Sequence, residues 1–114
     1  MIACSSDESI RIYDTNSWKL LNTINLSTDD DQLNSCEALD AQGGYIFTYA
    51  EYSYEIQIYD IEKAIKGQPD MLVKTSPNYA FDKDCYGINY HAGLKQLYLG
   101  CEEGYIFIYE FDST

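Results

Sequence analysis

The apolar residues of this chain recur at every second position in short runs separated by polar turns. Ser9-Ile-Arg-Ile-Tyr-Asp14 alternates in this way, and the pattern returns at Glu55-Ile-Gln-Ile-Tyr-Asp60 and Tyr105-Ile-Phe-Ile-Tyr-Glu110. Period-two alternation predicts strands with one face buried. Ile10 and Ile56 lie 46 residues apart, Ile56 and Ile106 lie 50 apart. Repeats of that period mark an array of supersecondary units, each of which needs a neighbour to bury its faces.

A second short apolar segment and a turn precede each run. Residues 1–6 lead through Asp7-Glu-Ser to Ile10, residues 47–52 through Ser53-Tyr-Glu to Ile56, and residues 97–102 through Glu103-Gly-Tyr to Ile106. Aligned without a gap, these segments predict three β-hairpins. Residues 35–40 and 85–90 supply a further strand upstream of the second and third hairpins, each ending in a turn with Gly (Gly43-Gly44, Gly93). Residues 19–24 and 71–75 supply one downstream of the first two. The link between strands at 61–67 has room for one helical turn, ended by Gly67 and Pro69. With the four strands of a unit named a, b, c and d, the chain reads b-c-d over 1–26, a-b-c-d over 35–76 and a-b-c over 84–112. The class is all-β with antiparallel four-stranded units and almost no helix.

Length and charge narrow the function. The chain has 114 residues, 19 acidic and 7 basic, for a formal charge of −12. Such a surface repels phosphate, which argues against nucleic acid and anionic membranes as partners. No apolar run is long enough to span a bilayer as a helix, and residues 1–20 lack a signal-peptide core. Cys4, Cys36, Cys85 and Cys101 form no CxxC pair, and His91 is the single histidine, so no zinc site is expected. Reduced, buried thiols in a reducing compartment are the plain reading, with a disulfide left open.

A four-stranded repeat of this period, whose strand c ends in an aromatic residue and an acid, resembles the WD40 repeat of β-propellers. Tyr13-Asp14, Tyr59-Asp60 and Tyr109-Glu110 stand where that family usually has Trp-Asp, and Asp7 matches the acid of its b–c turn. The Gly-His pair that often precedes strand a in the family is absent, and Ser53 and Glu103 replace the turn Asp in the later repeats. The resemblance therefore implies blades held together by apolar packing more than by the family's buried polar set. It also implies a ring of about seven blades, on the order of 300 residues, of which this chain supplies about two and a half. The chain is therefore expected to be a segment of a longer propeller, completed by missing sequence or by other chains.

No catalytic constellation emerges, and no cofactor or metal is implied. The resemblance implies a non-enzymatic scaffold, cytoplasmic or nuclear, that binds a protein or peptide, and the chain's acidic, tyrosine-bearing loops suit a partner with basic residues. In WD40 propellers the b–c turns and d–a loops share one face. Asp29, Asp30 and Asp31 fall in a d–a loop, while Tyr52, Tyr54, Glu55, Glu102, Glu103 and Tyr105 flank the b–c turns. These nine residues are the candidate partner site, since acids beside aromatics suit Lys or Arg anchors. Two alternatives stand beside it. One is a fragment of a propeller enzyme with its active site mostly in missing blades, where Asp40 and His91 would be the local candidates. The other is a structural subunit of a large assembly. Trp18, in a c–d turn, is expected to cover a blade edge.

Overall fold

The computed structural model describes residues 2–6, 9–25, 36–50, 54–76 and 83–112. They form three antiparallel sheets that follow one another along the chain. Sheet 1 has the order β1 (Ile2–Ser6), β2 (Ser9–Tyr13), β3 (Leu20–Asn25). Sheet 2 has β4 (Cys36–Gln42), β5 (Tyr45–Ala50), β6 (Glu55–Asp60) and β7 (Leu72–Thr75). Sheet 3 has β8 (Cys85–His91), β9 (Gln96–Cys101) and β10 (Ile106–Glu110). Strand order is thus b-c-d, a-b-c-d and a-b-c.

Local chemistry sets the connections. Gln42 faces Tyr45 across Gly43 and Gly44, whose φ values of 60° and 86° are those of a type I′ turn, which an L side chain resists. The acid that ends strand c caps the next segment of chain. Asp14 Oδ1 accepts from the Asn16 amide, folding the turn into β3. Asp60 Oδ1 accepts from the Lys63 amide and is the N-cap of α1 (Ile61–Ile65). Helix α1 is the helical turn expected in this link, and it ends at Gly67, which takes φ 68°.

Two apolar cores lie between the sheets. Ile10, Ile12 and Ile24 of sheet 1 pack with Ile46, Tyr59 and Ala64 of sheet 2. Phe47, Tyr49, Ile56 and Ile58 of sheet 2 pack with Cys85, Tyr90, Leu97, Leu99 and Phe111 of sheet 3 and its C-terminal extension. Phe47 stacks on Tyr90 with ring centroids 4.3 Å apart, and Phe111 meets both rings edge-on. Polar bonds also cross between sheets: Asn22 Nδ2 donates to Ala64 O across sheets 1 and 2, while Tyr90 N donates to Asp40 Oδ2 and the Tyr49 hydroxyl donates to Lys83 O, just before β8, across sheets 2 and 3.

The face each residue takes follows from its place in strand c. The isoleucines of β2 and β6 point to the following sheet and are buried. Phe107 and Tyr109 of β10 point back to sheet 2, as Tyr59 points back to sheet 1. Ile106 and Ile108 occupy the forward-facing positions of sheet 3 and are 70% and 57% exposed. The same motif therefore has a buried and an exposed version, set by whether a sheet lies in front of it.

The gap-free alignment of the hairpins does not survive. Phe47 pairs with Ile58, but its sequence counterpart Leu97 pairs with Tyr109 rather than Ile108. The turn between b and c is the reason. In sheet 1 the last pair before it is Ser6 with Ser9, with two residues between them in the sequence, and in sheet 2 it is Ala50 with Glu55, with four between them. In sheet 3 it is a 3₁₀ turn, Glu102–Gly104, closed by the Cys101 amide donating to Tyr105 O. One residue fewer in that turn turns strand b over, because side chains alternate with period two. Leu97 and Leu99 therefore face back into the core, and Tyr98 and Gly100 face outward with Ile106 and Ile108. Trp18 also departs from expectation: it is 67% exposed, at φ 59°, and covers no edge within the described residues.

Candidate interaction surface

The residues of the candidate site take different places in the fold. The Asp29, Asp30, Asp31 run, Tyr52 and the turn acid Asp7 lie outside the described residues. In the second b–c turn, Tyr54 has φ 49° and lies half-buried against the core between sheets 2 and 3. Glu55 is buried at 9% exposure, and its Oε1 accepts from Gln57 Nε2 at 2.8 Å. Both belong to the sheet more than to its surface.

The third b–c turn is built differently. Glu102 fastens the root of the turn: its amide donates to Asp84 O at 3.0 Å, and its Oε1 accepts from the Asp84 amide at 3.1 Å. Glu103 sits at φ 62° and Gly104 at φ 78°, so the chain reverses in two left-handed steps and pushes the Glu103 side chain into solvent. Its carboxylate meets Lys83 Nζ at 3.0 Å, and the same ammonium lies 4.8 Å from the Tyr105 ring centroid. Tyr105 is half exposed and stacks on Phe107 at 6.2 Å. Nothing in the sequence singles out Lys83, because a lone lysine before strand a carries no pattern. Glu103 and Tyr105 are exposed and Lys83 is half-buried between them, so an acid and an aromatic ring already hold one cation.

The residues of the strand-c signature have structural roles where they are described. Tyr59 is buried, and its hydroxyl donates to Gln57 Oε1. Tyr13 and Tyr109 are half-buried, the latter with Lys74 Nζ of sheet 2 at 5.7 Å from its ring. Glu110 is exposed beside Lys74 and Lys95.

The two residues named for an enzyme reading are engaged in the fold. Asp40 Oδ2 accepts from Gln42 Nε2 as well as from the Tyr90 amide. His91 Nδ1 accepts from the Leu94 amide and closes the a–b turn. Among the described residues no three His, Cys, Asp or Glu side chains gather as they would around a metal ion, and no helix is long and apolar enough to cross a membrane.

No protein-family model and no curated protein matches this sequence. Among solved structures, the C-terminal WD40 domain of Sif2 matches with a TM-score of 0.70 at 12% sequence identity. The match covers 96% of this chain and 30% of that one. The fold is that of a WD40 β-propeller segment. The chain spans less than a third of the Sif2 structure it matches. Its three sheets are WD40-type blades, and the faces between them are the inter-blade cores. At 12% identity the likeness speaks for the fold alone.

Proposed function

We propose that the chain is a non-enzymatic interaction scaffold of the WD40 type, cytoplasmic or nuclear, that presents its loop face to a protein or peptide carrying basic residues. The observation that carries this reading is the third b–c turn, where Glu103 and Tyr105 stand exposed around the Lys83 ammonium. A partner's Lys or Arg would meet the same chemistry, a carboxylate for its charge and an aromatic face for its stem. The Asp29, Asp30, Asp31 loop belongs to the same proposed face, with Tyr52. Tyr54, Glu55 and Glu102 support the face from beneath, because their side chains are half-buried or buried.

The test uses an arginine-rich peptide as probe, at low ionic strength, with calorimetric or fluorescence titration. Charge reversal of Asp29, Asp30 and Asp31 to Lys should weaken binding by about tenfold or more. Reversal of Glu62, Asp70 and Asp112 to Lys changes the net charge equally and should weaken it far less. Equal losses in the two variants would mean that net charge, not this face, binds the probe. That result would overturn the site.

A further inference from the structure

We propose that Cys85 and Cys101 form an oxidisable pair, closing to a cross-strand disulfide at the root of the third b–c turn. This goes beyond the scaffold reading and does not depend on it.

The two cysteines are direct partners in the β8–β9 register. Both are reduced, both are buried, and both belong to the same core, so their side chains leave the sheet on the same side. Just beyond them the Glu102 amide donates to Asp84 O. A bond between the residue before one cysteine and the residue after the other identifies a non-hydrogen-bonded antiparallel pair. In such pairs the Cα atoms lie about 4.5 Å apart and the side chains approach most closely. That separation lies within the range disulfides span, about 4.4–6.8 Å between Cα atoms. The Glu102 carboxylate accepts from the Asp84 amide as well, so two bonds fix the register on the turn side of the pair, while on its other side a bulge lies between Cys85 and Gly87. Each thiol meanwhile hydrogen-bonds within its own strand: Cys85 Sγ donates to Gly87 O at 3.2 Å, and Cys101 Sγ contacts Leu99 O at 3.8 Å.

The placement is specific to sheet 3. At the same register in sheet 2, Cys36 pairs with Ala50, and in sheet 1, in the pairing of strands b and c, Cys4 pairs with Arg11. No other described strand pairing sets cysteine against cysteine.

The oxidant is glutathione disulfide. The thiolate of Cys101, next to the turn, attacks one glutathione sulfur. The glutathione S–S bond breaks, and the departing glutathione thiolate takes up the proton that Cys101 lost. The Cys85 thiolate then attacks the Cys101 sulfur of the mixed disulfide, and the second glutathione leaves and takes up the Cys85 proton. Two protein thiols are oxidised and one glutathione disulfide is reduced to two thiols. While the turn is closed, burial shields both sulfurs. Exchange therefore proceeds at the rate at which the Glu102–Gly104 turn opens.

The test incubates the whole chain with a glutathione redox buffer, blocks remaining thiols, and maps the linked peptides by mass spectrometry. The same buffer with urea gives the unfolded reference, in which this pair already has a short loop of 15 intervening residues. The expected result is that the Cys85–Cys101 link dominates in native buffer, with an equilibrium constant about tenfold or more above that in urea. Equal constants, or a native link that joins Cys4 or Cys36 instead, would overturn the proposal. The Cys85→Ser variant should leave Cys101 only as a mixed disulfide with glutathione. If that variant does not fold, the native-against-urea comparison on the unaltered chain decides.

Discussion

The carboxylate of Asp40 holds the backbone of Tyr90: Oδ2 accepts the Tyr90 amide at 2.8 Å, joining strand a of the second sheet to strand a of the third. Asp40 is half-buried and Tyr90 is buried, so the amide has no ready replacement in water. Asp40→Ala removes a charge-assisted bond and strands a donor, and should cost about 2 kcal/mol in urea unfolding. Asp40→Asn keeps an acceptor in place and should cost less than half of that. Equal losses would show that the side chain acts through something other than this bond.

The two versions of the isoleucine motif give a sharper contrast. Ile12 is 1% exposed and Ile108 57%. Ile12→Ala should destabilise the chain by about 2–5 kcal/mol, the range for a buried aliphatic truncated to a methyl. Ile108→Ala in the same chain should stay within about 0.5 kcal/mol. A large loss at Ile108 would mean that another surface covers the outer face of sheet 3.

These residues also show how much of the fold is legible in the sequence. The strands, their order and the helical turn after Asp60 follow from alternation, turn residues and caps. The facing of the third hairpin does not. In Tyr105-Ile-Phe-Ile-Tyr both parities of strand c are apolar, so pairing Leu97 with Ile108 or with Tyr109 satisfies the pattern equally. Turn length decides between them, and that depends on left-handed backbone at Glu103 and Gly104. The candidate site is legible in outline only. Glu55 reads as a surface acid next to a turn, yet it is buried, and its carboxylate accepts from Gln57 Nε2 within the strand. Lys83 gains meaning only once folding places it between Glu103 and Tyr105.

The surface pair Lys63–Asp70, 3.0 Å apart, makes a pH prediction. The hydrogen bond from Lys63 holds the Asp70 carboxyl below its ordinary range, and the bond to Asp70, with its charge, raises the Lys63 ammonium above its own. The Asp70 contribution is present above the ordinary carboxyl pKa and is lost as pH falls through the lowered value. The Lys63 contribution is present below the ordinary ammonium pKa and is lost as pH rises through the raised value. Both groups are open to solvent, so salt should erase most of the effect. NMR titration of the Asp70 carboxyl should give a depressed value at low salt that returns toward normal at high salt or in Lys63→Met. A carboxyl that titrates normally at low salt would rule out the pairing.

The central claim is that successive sheets stack as propeller blades. The contact that tests it most directly is Phe47 against Tyr90, two rings from different sheets with centroids 4.3 Å apart. Nuclear Overhauser spectra of the chain, with aromatic protons assigned, should show strong cross-peaks between these rings and between each ring and Phe111. A folded chain in which Phe47 shows contacts only within its own sheet would contradict the stacked-blade arrangement.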